Sequence, residues 1–155
     1  MRLSTKGRYA VMAMVDLARH GADSPAALAD IALRQEISLP YLEQIFAKLR
    51  RSGLVRSVRG PGGGYLLARP CGSMRISDII VAVDEPIQVT RCEKHSPLGC
   101  HSDKSRCLTH DLWEELGNQI HLYLSSITVE DVVNRRVLGS SHLFSAGQGV
   151  VAAAE

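Results

Sequence analysis

Apolar residues recur with a helical period through the first fifty or so positions. From about Lys6 to His20, Tyr9, Met12 and Val15, joined by Met14 and Leu17, mark an inward face. Ser24-Pro25 reads as a helix start, with Ser24 as the cap and Pro25 at the first helical position. Leu28, Ile31 and Ala32 then give a second helix its i, i+3, i+4 face. Ser38 is the next cap. Beyond it Leu42, Ile45, Phe46 and Leu49 hold the same spacing as far as Ser52, and Gly53 stands where helices commonly end in a left-handed residue.

The period then changes. Val55-Arg56-Ser57-Val58-Arg59 alternates apolar and polar, as a strand does. Gly60-Pro61-Gly62-Gly63-Gly64 is a turn, and Tyr65-Leu66-Leu67 is the returning strand. Three helices followed by a two-stranded hairpin is the order of a winged helix-turn-helix. Ser77 is read as the cap of a short helix to about Val83, and residues 84–106 hold no sustained period. A long helix is predicted from about Thr109 to Ser126. Thr128 opens a last short one, with Asp131 completing a Thr-x-x-Asp capping pattern. From Ser140 onward Gly, Ser and Ala dominate, which predicts a frayed tail. The expected fold is mainly α with a small β-hairpin wing: a winged helix-turn-helix plus a long helix suited to dimerisation.

Charge changes the picture. The 155-residue chain has a formal net charge of only +2, which argues poorly for nucleic-acid binding. That sum hides a division: residues 1–75 carry 12 Lys and Arg against 5 Asp and Glu, and residues 76–155 carry 6 against 11. A basic first half and an acidic second half imply two separate jobs. No apolar run approaches the roughly 18 residues that cross a bilayer. The early run Tyr9–Val15 is short for a signal peptide and is followed by Asp16 and Arg19. The expected location is therefore cytoplasmic, where reducing conditions favour metal or redox chemistry over disulfides for the four cysteines.

On the third helix, Tyr41, Gln44, Lys48 and Arg51 fall opposite the apolar stripe. Residues near the start of a recognition helix reach base edges. Gln44 suits adenine and Glu43 can accept from the cytosine amine, whereas Lys48, Arg50 and Arg51 suit phosphates. Arg56 and Arg59 ride on the wing, where an Arg can enter a narrow minor groove. The glycines do not make a phosphate loop, because no Gly-Lys-Ser/Thr follows and the next element is a strand.

In the acidic half, Cys92, Cys100, Cys107 and His110 form a C-x7-C-x6-C-x2-H pattern. Three thiolates and one imidazole suit either a 2Fe–2S cluster or tetrahedral zinc, and spacing alone does not choose between them. His95 and His101 rival His110 as the imidazole. Cys71 stands apart and reads as a small buried side chain. Along the long helix, Trp113, Leu116, Ile120, Tyr123 and Leu124 belong to an apolar stripe broad enough to serve a second copy as well as the chain's own core. No nucleophile–base pair or substrate motif marks an enzyme.

The stretches MRLSTKGRYAV, ISLPYLEQIFAKLRRSGLVRSVRGPGGGYLLAR, AVDE at 82–85, TRC at 90–92 and CLTHDLW at 107–113 resemble the bacterial winged-helix regulators that bind an iron–sulfur cluster. The resemblance covers roughly residues 1–137. It implies that Cys92, Cys100, Cys107 and His110 hold a 2Fe–2S cluster, that Tyr41, Glu43, Gln44 and Arg59 read promoter DNA, and that the chain is a homodimer. It also implies control of iron–sulfur assembly genes, as repressor or activator, with cluster occupancy changing which promoters are bound. The chain then divides into a DNA-binding domain at 1–83, a cluster-binding loop at 84–107, dimerisation helices at 108–137 and a flexible tail at 138–155. Two features depart from the family: longer gaps between the cysteines, and Pro40 where a serine is typical. A sensor of nitric oxide or redox state, and a zinc-stabilised DNA-binding protein, are the competing readings.

Overall fold

A computed structural model describes residues 4–21, 24–85, 89, 100–101 and 105–137. The elements run α1 (Thr5–His20), α2 (Leu28–Gln35), α3 (Leu39–Arg51), β1 (Val55–Val58), β2 (Gly64–Leu67), a 3-10 turn at Cys71–Ser73, α4 (Ile76–Ala82), α5 (His110–Ser126) and α6 (Val129–Val133). The two strands pair antiparallel with Val55 opposite Leu67 and Val58 opposite Gly64. Mainly helical architecture with one hairpin is what the periodicities predicted.

Helix α1 is the hub, packing on α2, α3, α4, α6 and β2. Its inward face is Ala10, Ala13, Met14 and Leu17, all fully buried. The expected anchors Tyr9, Met12 and Val15 are instead half-buried on its flanks. The reason is crowding: with neighbours on several sides, small alanines occupy the closest approaches and bulkier residues are pushed to the rim. Leu42, Ile45, Phe46 and Leu49 of α3 are buried against this face as predicted. Phe46 meets Tyr65 of the hairpin edge-on, with ring centroids 4.9 Å apart.

Two predicted helix starts are corrected. Helix α2 begins at Leu28 behind Ala27, and Ser24-Pro25 does not cap it. Ala26 is engaged in a β-bridge with Tyr65, donating to the Tyr65 carbonyl at 3.0 Å and accepting from its N–H at 2.8 Å, so the helix cannot start until that pairing ends. Helix α4 starts behind Arg75, whose N–H donates to Asp78 at 3.1 Å; Ser77 is a buried residue of its first turn. Other boundaries fall as read. Gly53, at φ +68°, donates to the Arg50 carbonyl and Leu54 donates to that of Leu49, the paired bonds of a Schellman ending. Thr128 caps α6: its hydroxyl accepts from the Asp131 N–H at 3.0 Å while the Asp131 carboxylate accepts from the Thr128 N–H at 3.0 Å.

A charge lies inside the hub helix. Asp16 is 3% exposed, and its carboxylate accepts two bonds from Arg34 Nε, at 3.1 and 3.2 Å, one from Arg34 Nη2 at 2.6 Å and one from Gln35 at 2.8 Å. Burial alone raises this carboxyl's pKa. The hydrogen bonds from Arg34 and Gln35, with the Arg34 charge, outweigh burial and hold it below the ordinary value. The cluster staples α1 to the end of α2 and leaves no oxygen of Asp16 without a donor.

Arg34→Ala is therefore expected to destabilise the fold by about 3 kcal/mol in urea unfolding, because Asp16 stays buried with one hydrogen bond from Gln35 and only the half-exposed His20 ring nearby. Because folding depresses the Asp16 pKa, the ion pair contributes fully above the unfolded value near 4 and fades as pH falls through the lower folded value. The gap between wild type and Arg34→Ala should thus be widest at neutral pH and close as pH falls through the carboxylate range, starting where the buried, less paired Asp16 of the variant takes up its proton.

Candidate nucleic-acid interface and metal centre

Helix α3 stands on the core by its apolar stripe and turns its other side outward. Pro40 sits in its first turn, where a missing N–H leaves no helical bond unmade. Glu43, Gln44, Arg50 and Arg51 are exposed. Tyr41 is half-buried, packed edge-on against Tyr9 of α1 with centroids 6.0 Å apart, so its ring is fixed by the core. Lys48 is engaged as well: its ammonium donates to Asp84 Oδ2 at 2.7 Å.

That contact belongs to a small clamp that sequence reading missed. Asp84 follows α4 in a left-handed conformation, φ +54°. Lys6 Nζ donates to its carbonyl at 3.3 Å, and Ser4 donates to Glu85 through its N–H at 3.1 Å and its hydroxyl at 2.5 Å. Hydrogen bonding and charge from Lys48 hold the Asp84 carboxyl below the usual carboxylate range, with smaller help from Lys6 and Arg51. The starting turn of α1, the last turns of α3 and the exit of α4 therefore meet at Asp84–Glu85. The AVDE stretch was the only available signal, and nothing in it named Lys48 as the partner.

The wing is a short hairpin with Arg56 exposed on β1 and Arg59 exposed at its tip. Gly60 and Gly62 have φ of +107° and +72°, conformations that side chains rarely adopt. Gly64 has a different reason to lack a side chain: a Cβ there would overlap the Ala26 carbonyl. Backbone contact thus sets how the hairpin lies against the segment before α2.

At the other end of the chain, the first turn of α5 carries the ligand candidates. His110 is 7% exposed, and its Nδ1 lies 3.1 Å from Cys100 Sγ. Cys107 precedes the helix, its carbonyl accepting from the His110 N–H at 3.0 Å and its half-buried thiol lying 3.6 Å from the Thr109 hydroxyl. Cys100 and His110 are thus in direct contact at the start of the helix and Cys107 lies just before it, but the ligand atoms that fall within 4.8 Å of one another among the described residues are those of His110, Asp111 and Glu114, without a sulfur. Cys92 and His95 lie outside the described residues, as does the tail after Val137. His101 is exposed, with its backbone N–H bonded to Ser105. Cys71 is half-buried by the 3-10 turn, far in sequence from the others. One thiol against an imidazole, with a second thiol next to the same helix start, is a donor chemistry that suits a thiophilic metal.

Helix α5 is unevenly covered. Only His110 and Gly117 are buried on it, and Leu112, Trp113, Leu122 and Tyr123 are 43–62% exposed. Leu116, Ile120 and Leu124 are half-buried. Among the described residues, no helix is long and apolar enough to cross a membrane.

Three helices, the third of recognition type, and a basic wing define a winged helix-turn-helix fold. Known proteins carry the assignment further. Over residues 3–135 the chain matches the Rrf2 family, described as an iron-dependent transcriptional regulator. The chain belongs to the Rrf2 family and is an IscR-like helix-turn-helix regulator. The HTH-type transcriptional regulator IscR of Photorhabdus laumondii is 52% identical over 136 residues, covering 88% of this chain and 81% of that one. Among solved structures, T. potens IscR aligns with a TM-score of 0.70 at 36% identity, covering 92% of this chain and 96% of that one. CymR, the global cysteine regulator of B. subtilis, aligns with a TM-score of 0.71 at 33% identity, covering 87% and 98%.

Gly64→Ala is expected to cost about 1–3 kcal/mol, the usual range for forcing atoms into filled space, because the obstructing atoms are backbone and cannot rotate away. Thermal unfolding should show the loss. Amide exchange should show the Ala26–Tyr65 bridge opening before the helical core.

Proposed function

We propose that this protein is a promoter-binding regulator whose choice of site depends on a 2Fe–2S cluster held by Cys92, Cys100, Cys107 and His110, and that it controls genes of iron–sulfur cluster assembly. The observation that carries the reading is the contact of Cys100 Sγ with His110 Nδ1 at the start of α5, beside Cys107. The iron dependence attached to the family and the IscR identity of the relatives support it. When bound, such a cluster supplies an oxygen-labile, redox-active centre whose occupancy is the signal. The chain's own part is to offer thiolates and a neutral imidazole, since a protonated ligand cannot bind metal. Cytoplasmic thiols stay reduced and so remain available for this role.

Residues 1–83 act as the DNA-binding domain in this reading, 84–107 as the cluster-binding loop and 108–137 as dimerisation helices; the segment 138–155 lies outside the described residues. A homodimer joined through α5 is supported by the exposure of Trp113 and Tyr123 beside Leu116, Ile120 and Leu124. It would bring two α3 helices to successive half-sites. Tyr41 and Pro40 set the entry of α3, Glu43 and Gln44 address base edges, and Arg51, Arg56 and Arg59 address the DNA backbone or minor groove. Lys48 can reach a phosphate only by sharing or leaving Asp84, which makes it the one cation of this set already engaged among the described residues.

Anaerobic isolation followed by an absorption spectrum and iron, sulfide and zinc analysis tests the centre. Two irons and two sulfides per chain are expected, falling to background in Cys107→Ala. Colourless protein carrying one zinc per chain would refute the cluster.

Glu43→Ala tests the reading helix. An exposed carboxylate near DNA repels phosphates and most base edges and is tolerated where a cytosine amine meets it. Removing it should bring the affinities for different promoter classes together by about tenfold, the scale of one base contact. Unchanged preference in a binding titration at fixed salt would contradict the assignment.

A further inference from the structure

His110 has two ring nitrogens and a neutral imidazole carries only one N–H, so a metal can take one nitrogen and the other must hold the proton. The two sides of this ring are not alike. Nδ1 faces the Cys100 sulfur at 3.1 Å, whereas Nε2 faces Glu114 Oε2, one helical turn on, at 3.7 Å. Asp111 is also close to the ring, but its side chain is 88% exposed and turned to Arg106 at 3.5 Å. Glu114 is 33% exposed and is the carboxylate aligned with Nε2.

We infer that Glu114 is a positioning residue for the metal centre: its carboxylate keeps the His110 proton on Nε2 and so presents Nδ1, on the Cys100 side, as the ligating nitrogen. The inference rests on the cluster reading above and adds to it which atom of His110 binds and what selects it. The geometry suits the task. An i, i+4 pair in the first turns of a helix is held by the helix itself, and α5 is regular from His110. The separation of 3.7 Å is an electrostatic contact, longer than a hydrogen bond, and it is the carboxylate charge that favours the proton on the facing nitrogen. A carboxylate on the far nitrogen also makes the near one a better donor to metal, and removing such a partner typically weakens metal binding about 10–100-fold. Sequence spacing contains the pair, but Asp111, Glu114 and Glu115 all follow His110, and only the structure separates them.

The test uses the full chain, isolated anaerobically as wild type, Glu114→Ala and Glu114→Gln. The first readout is the rate at which a chelator removes iron. The second is nitrogen hyperfine spectroscopy of the reduced protein, with histidine labelled with nitrogen-15 at either Nδ1 or Nε2. Wild type should show strong coupling from Nδ1. Glu114→Ala should lose iron about 10–100 times faster and show coupling from both nitrogens. Glu114→Gln keeps an oxygen acceptor without the charge and should fall between them. It also carries the test if circular dichroism shows that the alanine variant does not fold. Strong coupling from Nε2 in wild type, or iron loss at the wild-type rate in both variants, would overturn the role of Glu114 while leaving the cluster in place. Wild type isolated without iron and sulfide would overturn the cluster reading, and the inference with it.

Discussion

Close packing around α1 is the constraint on which the rest depends. Ala10 and Ala13 let neighbouring backbones approach, and Met14 and Leu17 fill the space that remains. Side chains that small gain little from burial individually; their value is geometric, because they bring α2, α3, α4, α6 and the wing onto one axis. The recognition-type helix, the hairpin and the exit toward the ligand-bearing segment are thereby fixed relative to each other before any charge is considered. Asp16 shows how strict the packing is. A carboxylate has been accepted inside the hub, and the structure surrounds it with an Arg fork and an amide rather than leaving it in apolar company.

Much of this was legible from local pattern. Helix α3, its glycine ending, the hairpin and the Thr128 cap each depend on residues within a few positions of one another, and each falls where the sequence put it. The misreadings share one cause. Ser24-Pro25 has the chemistry of a helix start, but Ala26 is claimed by Tyr65, some forty residues away. Tyr9, Met12 and Val15 have the bulk of core residues, but the crowded face of α1 is taken by Gly7, Ala10, Ala13 and the paired Asp16 beside Met14 and Leu17. Local preference is a weak prior wherever a distant backbone competes for the same atoms.

The candidate site divides in the same way. Cysteine and histidine spacing suggested a ligand set, because such residue types are rare enough to stand out, and the structure brings one pair of it, Cys100 and His110, into contact. Ordinary charged residues do not stand out. Asp84, Glu85 and Glu114 resemble any solvated acid in sequence, and only their partners Lys48, Ser4 and His110 distinguish them. The near-neutral net charge was uninformative for a related reason: it summed a basic reading surface and an acidic segment with different tasks.

The clamp at Asp84–Glu85 has a consequence for how the chain tolerates change. It ties down the end of α4, and packing against α4 holds α5. With both ends anchored, the number of residues between them becomes a nearly free variable. Doubling a closed loop costs only about 0.6 kcal/mol in chain entropy. A change in the length of the chain between them therefore carries little entropic cost, and Asp84 holds Lys48 of α3 from the other side of that change.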